Sequence, residues 1–158
     1  MRDLQIIGQA VHVDFPEQAV RAVPARVDTG AKTSAIWASG IIEEQGVLQC
    51  VLFGPDSKFY TGQVLKFKDY ESRNISSSIG DSEERYVVKL LAIVEGRKIR
   101  ASFTLANRSQ QAYPMLVGRN ILRGKFLVDV KQGRPHKDAE RARSQLLQSN
   151  LKPREGKS

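Results

Sequence analysis

The sequence predicts a mostly β fold, and three observations carry that expectation. Short apolar runs alternate with polar residues at a period of two, the spacing of a strand with one buried face. Turn-forming residues divide those runs, as at Gly54-Pro55-Asp56-Ser57 and Glu95-Gly96-Arg97. Helical spacing is confined to one turn after Gly118 and a short stretch near the C-terminus.

Taken in order, Leu4 to Phe15 reads as a first strand, with Ile6, Val11 and Val13 apolar. Ala22 to Val27 is short, apolar and interrupted by Pro24, so it reads as an edge strand or the lead-in to one. It runs into Asp28-Thr29-Gly30-Ala31, a loop. Ser34 to Ser39 is the next strand, and Val47 to Phe53 and Phe59 to Phe67 flank the Gly54–Ser57 turn. Asp69 to Glu84 is polar and serine-rich, an exposed loop or mobile hairpin. Arg85 to Val94 and Lys98 to Leu105 form a hairpin in which Ile99, Ala101, Phe103 and Leu105 share one face. Met115 to Val117 is a short apolar strand, Gly118 to Arg123 opens a helical turn, and Lys125 to Val130 is a further strand. Asp138 to Gln148 has the spacing of a short amphipathic helix, with Ala142, Leu146 and Leu147 on one side. The organisation is therefore one domain, residues 1–130, followed by a tail, residues 131–158.

Composition narrows the function classes. Apolar residues make up 41% of the 158, enough for a core. No window approaches eighteen uninterrupted apolar residues, so no membrane span is expected. The N-terminus lacks a cationic start and a long apolar stretch, so no secretory signal is expected and the cytoplasm is the default compartment. The single cysteine, Cys50, permits no internal disulfide and reads as a small buried hydrophobe. His12 and His136 lie far apart, outside any His-Glu-x-x-His spacing, and there is no Gly-x-x-x-x-Gly-Lys-Ser/Thr loop. No metal and no cofactor is expected. The net charge is +8, and the tail holds eight Lys and Arg against three Asp and Glu. A basic balance suits an acidic partner. Nucleic acid would bind only through the tail, which has no aromatic residue for base stacking; a solvated tail with no partner accounts for it equally.

The segment Ala25-Arg26-Val27-Asp28-Thr29-Gly30-Ala31-Lys32-Thr33-Ser34 carries the chemistry. A carboxylate ends an apolar strand and is followed by a hydroxyl residue and a glycine. The triplet alone fits a tight turn in which aspartate accepts local backbone bonds. It also fits half of an aspartate dyad, where the strand gives rigidity and Gly30 lets backbone N–H groups approach the carboxylate. A second segment, Pro114-Met115-Leu116-Val117-Gly118-Arg119-Asn120-Ile121-Leu122, places apolar residues on both sides of Gly-Arg-Asn.

The pair VDTGA and LVGRNIL, in that order, resembles the retroviral-type aspartic peptidases, the retropepsins. The resemblance implies a closed β-barrel of the acid-protease type, with the aspartate loop threaded under an apolar strand that leads into a short helix at Gly118. It implies a homodimer in which each subunit supplies Asp28, with Thr29 and Gly30 bracing the loop. More closely, DTGAKTSA, SSSIGDSEERYVV and YPMLVGRNIL followed by FLVDV look like a bacterial retropepsin-like family labelled ATP-dependent zinc protease. The likeness spans about residues 5–130, and the zinc and ATP of that label find no motif here. Relatives of that family are associated with an ATP-grasp ligase that adds glutamates to the C-terminus of a ribosomal protein. The resemblance thus implies hydrolysis of a glutamate-rich tail, or regulation of such a ligase or of the ribosome without catalysis.

Viral retropepsins usually carry an aspartate after Asp-Thr-Gly-Ala, paired with the arginine of Gly-Arg-Asn; here that position is Lys32. Arg119 must then find another partner: Asp129, a backbone carbonyl, or a substrate carboxylate. Lys32, Arg73, Arg85 and Arg119 form a cationic set suited to acidic substrate. With Ala31 and Ser78 they are the expected substrate-binding residues. Residues 69–85 are either a flap that closes over substrate or an ordinary surface loop.

Overall fold

The computed structural model describes residues 3–76, 80, 82–132 and 146, and within them the chain is mostly β with one short α-helix. The expected first strand is two: β1 (Gln5–Ile7) and β2 (Ala10–Phe15), divided at Gly8-Gln9. The break lets β1 leave for a separate two-stranded parallel sheet with β11 (Phe126–Val128), while β2 pairs with β3 (Val20–Val27).

β3 is not an edge strand. It pairs with β2 on one side and, in parallel, with β10 (Met115–Val117) on the other. Pro24 is tolerated because β10 reaches only as far as Ala25. Backbone donors of β3 alternate between its neighbours: Val27 N–H donates to Gln9 O (2.9 Å) and Asp28 N–H to Val117 O (2.9 Å). By that alternation, the nitrogen of Pro24 faces past the end of β10, where the ladder asks for no donor.

β4 (Ser34–Glu44) runs five residues beyond the expected end, through a bulge at Gly40, whose φ is +59°. It turns into β5 (Val47–Leu52) through Gln45-Gly46, and β5 pairs with β6 (Val64–Phe67). Phe59 to Gln63 was expected in a strand and lies in a loop. Two hydroxyls explain it: Ser57 Oγ accepts the Phe59 N–H (3.1 Å) and Thr61 Oγ the Gln63 N–H (3.2 Å), local bonds that compete with a ladder.

The serine-rich stretch forms a hairpin, β7 (Glu71–Ser76) against the start of β8 (Ser82–Val94). β8 then returns as β9 (Arg97–Ala106) through Glu95 (φ 49°) and Gly96 (φ 79°). Two positive φ values in a two-residue loop match the right-handed twist of the flanking strands.

Pairing runs β10–β3–β2–β8–β9–β4 and comes back from β4 to β10, so six strands close a ring of ladders. Inside it Phe15 meets Phe103 edge-on at 5.6 Å, and Ile36, Leu90, Met115 and Ile121 are fully buried. Each such side chain contributes roughly 1.5–3 kcal/mol by leaving water. Cys50 is fully buried in β5, and burial pushes its thiol up to about 11. α1 (Arg119–Leu122) follows Gly118, and no helix among the described residues is long and apolar enough to cross a membrane. The expected helix over 138–148, Leu146 apart, and Ser78 lie outside the described residues.

Candidate functional site

β10 is the middle of three strands, parallel to β3 and antiparallel to β4. The loop joining β3 to β4, residues 28–33, must therefore pass over the end of β10, where Gly118 sits. The crossing is tight. A Cβ on Gly118 would lie 2.8 Å from the Thr33 carbonyl carbon, 2.9 Å from Ala31 O and 3.0 Å from Ser34 N. Only glycine leaves room for the loop at that height.

Hydrogen bonds hold the crossing from both sides. Arg119 N–H donates to Ala31 O (2.8 Å) and Asn120 N–H to Lys32 O (3.2 Å), so the first turn of α1 is capped by the loop itself. Ser34, the one buried polar residue among those described, accepts the Gly118 N–H at Oγ (2.9 Å) and donates to Asn120 Oδ1 (2.8 Å). Asn120 Oδ1 also accepts the Ser34 N–H (2.9 Å), and its Nδ2 donates to Ser102 O on β9 (2.9 Å). Ser34 and Asn120 were not among the expected site residues. The signal was a hydroxyl after the Asp-Thr-Gly loop and an amide after Gly-Arg, but no spacing rule joins positions this far apart in sequence.

Asp28 follows β3 directly and is half-buried, with Oδ1 accepting the Gly30 N–H (3.0 Å) and its own carbonyl accepting the Ala31 N–H (3.2 Å). None of the hydrogen bonds among the described residues uses Oδ2. Thr29, Gly30 and Lys32 are exposed and Ala31 is half-buried. Arg119 finds a backbone carbonyl, Thr29 O, at 3.4 Å, a long contact on an exposed side chain. Asp28 to Lys32 and Arg119 are thus gathered at one crossing.

Arg73 and Arg85 lie elsewhere, directly opposite each other on the β7–β8 hairpin. They are not unpaired: Arg73 meets Glu71 at 2.7 Å and Arg85 meets Glu83 at 3.4 Å. Both ion pairs are solvent-exposed and contribute little. Like charges facing each other across a ladder are unfavourable, so the hairpin retains a reason to take an anion. Among the described residues no hydrogen bond or ion pair links the hairpin arginines to the Asp28 loop.

One cation was missed. Arg108, in the loop between β9 and β10, donates from Nε to Tyr113 O (2.9 Å). Its burial lowers its pKa from the usual arginine value, and the Asp28 carboxylate pulls it part of the way back, so the two charges feel each other. Among the described residues no three His, Cys, Asp or Glu side chains gather as a metal site.

A profile of the RimB-like family, described as retropepsin-like aspartic endopeptidase RimB, matches residues 6–137. Proteins named "Probable alpha-L-glutamate ligase" are similar over 129 residues: 36% identical in Shewanella pealeana and 30% in Desulfotalea psychrophila, covering 78% and 79% of this chain. The chain spans only 28% of the length of each. Among solved structures, a Legionella pneumophila protein of unknown function superposes with a TM-score of 0.60 at 24% identity, covering 84% of this chain and 98% of that one. That likeness is one of fold.

Proposed function

The chain belongs to the RimB-like family of retropepsin-like aspartic endopeptidases, and from that premise we propose that it acts as a homodimeric peptidase with one Asp28 from each subunit. The observation that carries the reading is the state of that carboxylate. A four-part backbone and side-chain lock fixes the loop, Gly30 holds Oδ1, and Oδ2 is left for something outside the described residues. A second Asp28 about 3 Å away would share one proton with it, because two adjacent carboxylates cannot both ionise cheaply.

In that pair the charged carboxylate takes a proton from a water molecule as the water oxygen attacks the peptide carbonyl carbon. The protonated partner gives its proton to the carbonyl oxygen. Collapse of the resulting diol breaks the C–N bond, and a carboxyl proton passes to the leaving amine. The closed barrel of the acid-protease type is the frame that would hold two such loops face to face, and the ring of six strands supports it.

The surface beside the site supports the dimer. β1, the residue before it and β11 expose Ile6 (60%), Leu4 (45%) and Leu127 (52%), and Ile6 pairs in register with Leu127. This apolar face adjoins a depression of about 500 Å³ that includes Thr29 and Arg119. A contiguous apolar patch next to half a catalytic centre fits a second copy of the chain.

The substrate proposed is a glutamate-rich C-terminal tail, that of a ribosomal protein. Lys32, Arg119 and the facing Arg73 and Arg85 support an acidic peptide, with Ala31 and Ser78 as further contacts and the β7–β8 hairpin as the flap. Purified protein should shorten a peptide ending in several glutamates and spare an alanine-rich one. Asp28→Asn should abolish cleavage while the protein stays folded; retained cleavage would end the dyad reading, and equal cleavage of both peptides would end the acidic-substrate reading.

A second reading has its own support. The similar stretch lies within proteins named as glutamate ligases, which favours a non-catalytic partner of an ATP-grasp glutamate ligase. On that reading Asp28→Asn changes nothing in ligase binding or ligase rate, and no peptide is cut.

A further inference from the structure

Side chains alternate along extended backbone, so Pro24 lies on the same face as Asp28, just past the end of β3, and Pro114, just before β10, shares a face with Leu116. Leu116 pairs with Arg26 on one side and Ala35 on the other, and Trp37 N–H donates to Pro114 O (2.9 Å). Pro24, Pro114 and Trp37 therefore form a row one pleat beyond Arg26, Leu116 and Ala35. At the end of that row a cavity of about 300 Å³ opens, walled by Pro24, Trp37, Phe59 and Pro114. Its Pro24 wall lies four residues, about 13 Å of extended backbone, along the chain from Asp28.

One wall is closely packed. Trp37 is 6% exposed and is pressed on Gly54, where an added Cβ would lie 2.4 Å from its ring. Two cations line the cavity, Arg108 and Lys58, against one carboxylate, Asp56. Arg108 is anchored from behind. The ladder step that gives Asp28 N–H to Val117 O would, two steps back, give residue 24 to Tyr113 O, but Pro24 has no N–H. That carbonyl takes Arg108 Nε instead (2.9 Å), which pins the guanidinium through one nitrogen. Among the described residues no ion pair occupies its two terminal nitrogens, and the Asp28 carboxylate acts on it only at longer range.

We infer that this cavity is a subsite reading one glutamate of the substrate, a few residues from the bond that is cut. The aliphatic stem lies between Pro24, Trp37 and Pro114, and the carboxylate takes a forked pair of N–H bonds from Arg108, with Lys58 adding charge. The inference rests on the acidic-peptide reading above and adds where one acidic side chain is recognised. A fixed guanidinium left without its anion disfavours glutamine, so a preference of about tenfold or more is expected.

Trp37 is the chain's single tryptophan, so its fluorescence reports on this wall alone. The test uses full-length Asp28→Asn protein, which cannot cut, titrated with hexaglutamate and hexaglutamine. Hexaglutamate should change Trp37 emission saturably at concentrations about tenfold or more below hexaglutamine. Adding Arg108→Gln should shrink that difference by about tenfold, leaving only what the other cations contribute, and adding Ala112→Phe, at another lining residue, should weaken both peptides. Equal binding of the two peptides, hexaglutamate binding without a change at Trp37, or an Arg108→Gln protein with circular dichroism unchanged and preference intact would each overturn the inference. Should Arg108→Gln not fold, Ala112→Phe decides, and undiminished binding there overturns it. The two readings fail separately. Wild-type cleavage with an Arg108-independent preference removes the subsite and leaves the peptidase. Arg108-dependent binding without wild-type cleavage removes the peptidase and leaves the subsite.

Discussion

Replacing Gly118 with alanine puts the construction of the site under direct strain. The backbone there has φ −97° and ψ −176°, which any residue adopts, so the substitution carries no conformational penalty. Its whole effect comes from contact. The new methyl would stand 2.8, 2.9 and 3.0 Å from three backbone atoms of residues 31–34. Carbon contacts settle at about 3.5–4.0 Å, so the loop must rise by roughly 0.5–1 Å. Overpacking of that kind costs about 1–3 kcal/mol. The rise also strains the Arg119–Ala31 and Asn120–Lys32 bonds and tilts Asp28, which begins the same loop. A reactive group misplaced by about 1 Å can lose about a hundredfold in rate. Urea unfolding followed by Trp37 fluorescence, together with cleavage of a glutamate-ended peptide, reads both effects. Gly96→Ala is the control: its φ of +79° penalises alanine, but nothing lies within 4 Å and the site is remote. It should lose stability and keep the rate. A Gly118→Ala protein with the wild-type urea midpoint and rate would refute the tight crossing.

Three further outcomes follow from the same geometry. Ser34→Ala leaves the buried Gly118 N–H without its acceptor, and should lower unfolding free energy by about 1–3 kcal/mol in urea titration. Cys50 should ignore a thiol reagent at pH 8 in the native protein and react at once in urea. Burial pushes its folded pKa up to about 11 from the ordinary thiol value of 9.0, so the stability it supports is complete below pH 9 and is lost as pH rises toward 11, visible as a falling melting temperature across that window. Ile6→Glu combined with Leu127→Glu places two charges side by side on the exposed sheet face and should give a monomer by light scattering, with cleavage lost; a dimer that persists would move the interface elsewhere.

The strands of the body were legible wherever one face is buried and the other wet. β8 and β9 alternate cleanly, and Gly96 marks their turn because its positive φ favours glycine; Glu95 takes a positive φ beside it without that preference. Where local bonds compete, the pattern misled. Phe59 looks like strand, yet Ser57 and Thr61 bend the chain around it. Pro24 looks like an edge because the rule about proline is a rule about donors. It says which side of the strand lacks a neighbour at that level, and not that the whole strand lacks one. Asp28 was legible from its triplet and from the Gly-Arg-Asn segment together. The serine and asparagine that lock them were not, since a hydrogen bond between positions 34 and 120 leaves no periodic trace.

That lock explains why the two motifs occur as a pair. A strand running parallel to β3 and antiparallel to β4 cannot be laid between them unless the connecting loop climbs over its end. The climb demands a glycine beneath, acceptors for the first N–H groups of the helix that follows, and a polar group to satisfy the buried glycine N–H. Gly118, the carbonyls of Ala31 and Lys32, and Ser34 meet those three demands. The carboxylate at the foot of the climb is then held at a fixed height by parts that do no chemistry themselves. Further along β3, Pro24 has no N–H to give the Tyr113 carbonyl and Arg108 Nε donates to it, so the absence of one ladder hydrogen bond and the anchoring of one arginine have a single structural cause.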